Sequence, residues 1–294
     1  MTQHPSFDPA SSPAEPLAAG LYIVATPIGN LMDITARALL VLARASLIAC
    51  EDTRVTGKLL GHFGIVTRML PYHDHNAGMM RPRLIAQALN EPVALVSDAG
   101  TPLISDPGYK LVAEARAAGV NVVTAPGPSA VIAALSIAGL PTDRFLFAGF
   151  LPAREKAKAD VIAELANVPA TLAFYESGPR LAATLTALRA GLGDRPAAVG
   201  RELTKKFEEM ISGTLSELAA RWADAPPKGE IVVLVGPPLP APAATADELD
   251  SALREALTSL RVKDAARAVA DRLGLPRAQV YARALALKDA ARNG

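Results

Sequence analysis

The sequence predicts an α/β protein: two α/β domains in series, with mixed, largely parallel sheets, followed by a small C-terminal helical domain. Three observations carry this. Short apolar runs alternate with amphipathic stretches of helical spacing from Leu21 to about Leu140, and the alternation resumes near Phe145. Strands separated by helices imply parallel pairing and a sheet covered on both faces. Four prolines within residues 237–242 then mark a stiff spacer, beyond which the chain is helical.

The elements follow in order. Met1 to Ala19 holds four prolines and no Lys or Arg, so residues 1–20 are expected to be a disordered tail without the basic start of a leader. In the domain spanning 21–141, Leu21 to Ala25 reads as a buried strand, Asp33 to Arg44 as a helix, and Leu47 to Cys50 as the second strand. A helix ending near Gly61 to Gly64, a strand at Val93, a helix from about Gly108 to Ala118 and a strand at Val120 to Val123 follow. The domain spanning 142–236 has expected strands at Phe145 to Gly149, Thr171 to Tyr175, Ala197 to Gly200 and Ile231 to Val235. Phe207 to Ile211 and a turn at Gly213 look like an antiparallel addition. Residues 237–246 form the linker. In 247–294, Val262, Ala265, Ala266, Val269 and Leu273 keep helical spacing, Gly274-Leu275-Pro276 breaks it, and a helix resumes at Arg277. Helix, short turn, helix outlines a helix-turn-helix. From Arg261 onward eight Lys or Arg face three Asp, which suits nucleic acid, although basic helix pairs also serve as packing caps.

Composition closes off several classes. With 294 residues, 50% hydrophobic, 20% charged and a formal net charge of +1, the chain has a core to bury and no global pull toward polyanions. Cys50 is the single cysteine, which rules out an internal disulfide and suits a reducing cytoplasm. The apolar stretches fall short of a membrane span. No G-x-G-x-x-G follows a strand and no phosphate loop occurs; Gly191 to Pro196 lacks the third glycine. His73-Asp74-His75 is more often solvated than metal-binding, so no metal is expected.

Three loops at expected strand ends remain: Thr26 to Asn30, Ser97 to Gly108 (SDAGTPLISDPG) and Ala125 to Ala130. Ligands of open α/β sheets bind beyond the carboxyl ends of the strands. Pro27, Pro102, Pro107, Pro126 and Pro128 give no N–H and leave carbonyls prominent, while Gly29, Gly100, Gly108 and Gly127 allow close approach. Such a lining suits a cationic centre with an adenine-like ring better than a triphosphate. Asp98 and Asp106 are expected to brace the turn rather than act as a catalytic pair, Asp106 as a cap ahead of Pro107.

Leu21 to Leu31, Cys50-Glu-Asp-Thr-Arg54, Tyr72-His-Asp-His-Asn76, SDAGTP, Pro126-Gly-Pro-Ser129, Phe174-Tyr-Glu-Ser177 and Arg201-Glu-Leu-Thr-Lys205 occur in order. Together they resemble the tetrapyrrole methylase superfamily, and within it the bacterial branch that 2′-O-methylates a cytidine of 16S rRNA in the small ribosomal subunit. The resemblance runs from about Leu21 to Gly236, and the helical tail has a counterpart there. It implies S-adenosylmethionine in the cleft between two α/β domains, a homodimer and a cytoplasmic enzyme. It would place the cofactor against Pro27 and Gly29, along Gly100, Thr101, Leu103 and Ile104, and at Ser129 and Ala130. Tyr175, Leu203 and the backbone at Gly229 and Glu230 would close the pocket. Many relatives carry Gly-Asp-Pro where this chain has Gly100-Thr101-Pro102, so no carboxylate role transfers to that position.

Methyl transfer to a ribose hydroxyl benefits from a general base. Candidates are Glu51, Asp52, His73, His75 and Glu202, with Glu202 and Asp52 ranked first; Asp52 fits a helix N-cap equally well. Arg54, Arg201, Lys205 and Lys206 would hold RNA phosphates, with His73, His75 and Asn76 on the substrate side; Lys205 and Lys206 also fit an exposed strand edge. Two other functions stay open, a corrinoid or porphyrin methyltransferase and a non-catalytic RNA-binding protein. Only 4% aromatic residues and the basic tail count against the former.

Overall fold

The computed structural model describes residues 16–105, 108–239 and 245–293. Most of the expected tail (1–15), Asp106 with Pro107, and linker residues 240–244 lie outside the described residues. The chain divides into two compact units, one up to Pro238 and one from Leu239.

The first unit holds two five-stranded sheets. The first contains β1 (Gly20–Val24), β2 (Leu47–Cys50), β3 (Met69–Pro71), β4 (Pro92–Val96) and β5 (Val122–Ala125), in the order β3-β2-β4-β1-β5. All its pairings are parallel, as the alternation of strands and helices required. Because side chains alternate along a strand, Leu21, Ile23, Val93 and Leu95 point to one face and Tyr22, Val24, Ala94 and Val96 to the other. The first face is covered by Met80 and Leu84 of α3 (Ala77–Ala88) and Leu111 of α4 (Tyr109–Ala117). The second is covered by Leu39 and Leu42 of α1 (Ala36–Arg44) and Leu60 of α2 (Thr53–His62).

Two elements of this sheet and its covering helices were not expected. β3 is a three-residue edge strand ending in Pro71, too short to show a period. α3 carries Pro82 inside it, which reads as a breaker in sequence; packing of Ala77, Met80, Leu84 and Ala88 on the sheet overrides that local cost. The expected helix at Asp33 begins later. Leu31–Asp33 is a single 3-10 turn, and Thr35 caps α1 by accepting from the Ala38 N–H at 3.1 Å.

The second sheet contains β6 (Phe145–Phe150), β7 (Thr171–Ser177), β8 (Pro196–Arg201), β9 (Glu209–Thr214) and β10 (Glu230–Val235), in the order β6-β7-β10-β8-β9. It is mixed: β6 and β7 run parallel, and the other three pairings are antiparallel. Gly213 lies within β9 rather than in a turn. One face packs on α6 (Glu155–Leu165), α7 (Leu181–Leu192) and α8 (Leu215–Arg221). The other receives α5 (Ala130–Ile137), whose Val131, Ala134 and Leu135 pack on Ala173, Ala198, Val232 and Leu234. The apolar run after the third loop thus becomes the helix that carries that loop onto the second sheet.

The second unit is α9 (Ala246–Leu257), α10 (Val262–Leu273) and α11 (Arg277–Asn293), around Leu253, Val269, Val280 and Ala284. Gly274, left-handed at φ 65°, ends α10 where the sequence predicted a break. Asp250 of α9 grips Arg283 of α11 through two 2.7 Å hydrogen bonds. Arg283 holds the Asp250 carboxyl below its usual range despite partial burial. A carboxyl depressed in the folded state adds stability that is complete above its unfolded pKa, about 3.9, and disappears as pH falls through the folded value. The stability difference between wild type and Asp250→Asn, followed by hydrogen exchange in α9–α11, is expected to hold from pH 7 to about 4 and shrink below. A difference that grows on acidification would refute the assignment. Among the described residues, no helix is long and apolar enough to cross a membrane.

Candidate active site

The loops that follow β1, β4 and β5 are tied together by backbone. Thr26 and Gly100 exchange two hydrogen bonds, at 2.8 and 3.0 Å, and Thr101 Oγ1 donates to the Pro128 carbonyl at 3.0 Å. Gly100 has φ +78°, and a Cβ there would sit 3.3 Å from Ile28 Cγ2. Leu103 (φ 74°) and Ser105 (φ 65°) adopt left-handed conformations that cost such residues about 1–3 kcal/mol each. The only other described non-glycine residues with positive φ are Glu202 and Thr204. All four therefore fall in two loops, and these loops face each other across a cleft of about 420 Å³.

The opposite wall comes from the second sheet. After β8 the chain turns at Glu202–Lys205, closed by the Lys205 N–H donating to the Glu202 carbonyl at 3.0 Å. Lys205 Nζ lies 3.1 Å from Glu202 Oε1 and 3.4 Å from Glu230 Oε2. Partial burial works against the Lys205 charge, but the two carboxylates outweigh it and raise its pKa, so the ammonium persists. Two glycines make room for this cluster. A Cβ on Gly229 would lie 2.1 Å from Glu202 Oε1, and one on Gly29 would lie 2.4 Å from Lys205 Cγ. Tyr175 stacks edge-on with Phe147 at 4.8 Å and tilts against the exposed Phe150 at 5.5 Å, giving the cleft an aromatic shelf. Beside it, the buried Glu176 accepts from the Ser177 N–H at 2.8 Å and from Thr184 Oγ1 at 2.6 Å, with Arg180 Nε at 3.3 Å.

Of the residues assigned to the cofactor from sequence, Gly100, Thr101, Ile104, Ser129, Ala130, Tyr175, Leu203, Gly229 and Glu230 all line this cleft. Three do not. Pro27 and Gly29 line a neighbouring hollow, and Leu103 packs down against the first core, where its left-handed backbone directs it. Among the candidate bases, Glu202 lines the cleft. Asp52 is instead committed to α2, accepting from the Arg54 N–H at 2.8 Å and pairing with the Arg54 guanidinium at 2.6 Å. The Arg54 hydrogen bonds pull its pKa down to about 2. The capping role is the one the structure displays.

The expected RNA-facing residues scatter. Lys205 reaches the cleft. Arg201 pairs with Glu209 at 2.6 Å, Arg54 with Asp52, and Lys206 lies over the Phe207 ring at 5.7 Å. Asn76 holds its own turn by accepting from the His73 N–H and donating to the Pro71 carbonyl, while the His73 and His75 rings meet edge-on at 5.9 Å. None of His73, His75 and Asn76 lines the cleft. Sequence reasoning missed Glu176 and Phe150 as cleft residues. Glu176 lay inside the Phe174-Tyr-Glu-Ser177 motif, so the signal was present without a role attached. Asp98 does not brace its own turn through a hydrogen bond among the described residues: its Oδ1 accepts from the Asp52 N–H at 3.0 Å, tying the loop after β4 to the start of α2, and it lines the cleft.

Comparison with known proteins agrees with this architecture. Residues 20–219 match the family model described as Tetrapyrrole (Corrin/Porphyrin) Methylases, and residues 243–288 match that of the RsmI C-terminal HTH domain. The chain is 52% identical to "Ribosomal RNA small subunit methyltransferase I" of Mesorhizobium japonicum, over 96% of this chain and 97% of the relative. It is 53% identical to the protein of that name from Erythrobacter litoralis, over 94% and 98%. Among solved structures it resembles uroporphyrin-III C-methyl transferase from Thermus thermophilus complexed with S-adenyl homocysteine. There the TM-score is 0.51 at 19% identity, covering 74% of this chain and 97% of that one.

Proposed function

The chain belongs to the tetrapyrrole methylase family, alongside the relatives named ribosomal RNA small subunit methyltransferase I, and from that premise we propose that it 2′-O-methylates a cytidine of 16S rRNA in the small ribosomal subunit. Its cofactor is S-adenosylmethionine, the methyl donor of this family. One observation carries the assignment to the cleft: the SDAGTP loop and the Glu202–Lys205 turn, both in strained conformations, form facing walls around about 420 Å³. That volume falls within the range of small-molecule sites, about 300–1,000 Å³.

The lining fits the group. Gly100 and Gly229 put backbone without a side chain on the facing walls, Tyr175 and Phe150 offer faces for an aromatic ring, and Ile28, Leu203 and Val232 give an apolar floor. Glu202 and Glu230 present oxygens suited to ribose hydroxyls or an ammonium, and Lys205 suits a carboxylate. When bound, the cofactor supplies a sulfonium methyl group to an incoming nucleophile. The protein's part is to fix both partners in line and to take the proton from the ribose hydroxyl. Glu202 is held by the Lys205 ammonium, which suits it to anchoring a ligand. The helix-turn-helix unit, with its excess of Lys and Arg after residue 261, supplies non-specific RNA affinity. A homodimer and a cytoplasmic location, implied by the resemblance, complete this reading.

Radiolabelled S-adenosylmethionine offered with small subunits, free 16S rRNA and a porphyrinogen tests the reading. Label is expected in RNA as alkali-resistant 2′-O-methylcytidine, and label in the porphyrinogen would replace the reading with macrocycle methylation. Truncation after Pro238 is expected to leave S-adenosylhomocysteine affinity unchanged and to weaken small-subunit binding about tenfold, with a shallower salt dependence. Unchanged RNA affinity would reduce the three helices to a packing domain.

A further inference from the structure

A second hollow of about 280 Å³ lies beside the cofactor cleft, between the β1 loop, the β4 loop and α2. The two spaces share Ile28, Ala99 and Asp98. We propose that this hollow receives the acceptor nucleoside of the RNA, turned out from its neighbours, and that Asp98 Oδ2 takes the proton of its 2′-hydroxyl. The proposal rests on the RNA-methylating reading above and specifies where the acceptor sits.

Contiguity is the first reason. Reacting atoms must approach to about 3–3.5 Å, so the acceptor oxygen has to occupy space that opens directly on the cofactor cleft. The hollow does so across Asp98. The second reason is the state of that carboxylate. Its Oδ1 accepts from the Asp52 N–H at 3.0 Å, which fixes its orientation, while its Oδ2 makes no hydrogen bond or ion pair among the described residues and feels the Arg54 guanidinium only through space. The two acids ranked first as bases are engaged with cations, Asp52 with Arg54 and Glu202 with Lys205. Asp98 alone of the three stands at the junction of both spaces.

The walls give the third reason. Leu31, Val55 and Leu59 line an apolar slot suited to a base face, and Val55 and Leu31 stay partly exposed at its edge. Lys58 also lines the hollow and makes no ion pair among the described residues, so its charge is available to a phosphate following the nucleoside. Enzymes that act on one nucleotide extrude it into such a pocket, and a hollow of this size accepts one nucleoside rather than a duplex or macrocycle. The chemistry balances with these groups. The 2′-oxygen bonds to the methyl carbon as the carbon–sulfur bond breaks with its electron pair on sulfur, and the hydroxyl proton goes to Asp98 and then to water.

Val55→Trp fills the slot, and Asp98→Asn removes the base while its amide oxygen still accepts from Asp52. Both are expected to lose at least about 100-fold in single-turnover methylation of small subunits at saturating S-adenosylmethionine, and Val55→Trp to bind S-adenosylhomocysteine within about threefold of wild type by calorimetry. Cytidine 5′-monophosphate is expected to shift the methyl resonances of Val55, Leu59 and Ile28 in wild type and to leave Val55→Trp unperturbed. Near-wild-type transfer by either variant, or shifts confined to other sites, overturns the proposal. Absence of RNA methylation by the wild type would instead refute the reading on which it rests.

Discussion

Gly178→Ala is expected to destabilise the protein by about 2–3 kcal/mol and to weaken S-adenosylhomocysteine binding at least tenfold. Gly178 opens the turn after β7, and a Cβ there would lie 1.6 Å from the Pro227 carbonyl oxygen and 2.8 Å from its carbon. Those are backbone atoms, which cannot rotate away as the end of a side chain can, so the segment before β10 must move. That segment leads directly into Gly229 and Glu230, and Gly229 already adopts φ +97° to make room for Glu202. Displacing it disturbs the Glu202–Lys205–Glu230 cluster on the cleft wall. For a protein of this size the melting temperature should fall by about 4–12 °C. A variant with unchanged melting and unchanged affinity would show that the 225–229 segment does not shape the cleft.

Glu176→Ala is expected to cost about 2–3 kcal/mol and to lower cofactor affinity, with Glu176→Gln recovering part of both. The Glu176 carboxylate is almost wholly buried, with 1% of its side chain exposed, yet it lies against the cleft. Removing it strands the Thr184 hydroxyl, itself 1% exposed, and the Ser177 N–H, both of which donate to it. Arg180 is about one-third exposed and contributes less, since water screens its charge. The end of β7 carries Tyr175 on one side of Glu176 and Ser177 on the other, so loosening this acid loosens the aromatic shelf. Calorimetric affinity and thermal melting measured together would expose the error if only one of them changed.

Much of the first sheet was legible because its strands are short apolar runs set between helical periods. β3 and α3 were not, since a three-residue edge strand has no measurable period and Pro82 masks a helix held by packing. In the site, the glycines and prolines of the strand-end loops announced backbone contact, and nine of the twelve expected cofactor residues meet in one cleft. Leu103 misled because loop membership says nothing about which way a left-handed residue points its side chain.

By itself the sequence determined the alternation of strands and helices, the loops at the strand ends, the Pro-rich joint and the break at Gly274. Each of these is local, written in the spacing of apolar residues or in the backbone freedom of glycine and proline. The tertiary structure decided the antiparallel majority of the second sheet and the division of labour among the acids. Asp52 caps α2 through the Arg54 N–H two residues on, a local contact, whereas only folding brings Asp98 within 3.0 Å of the Asp52 N–H, 46 positions away, and sets it between two hollows, because β2 and β4 become neighbours only in the sheet.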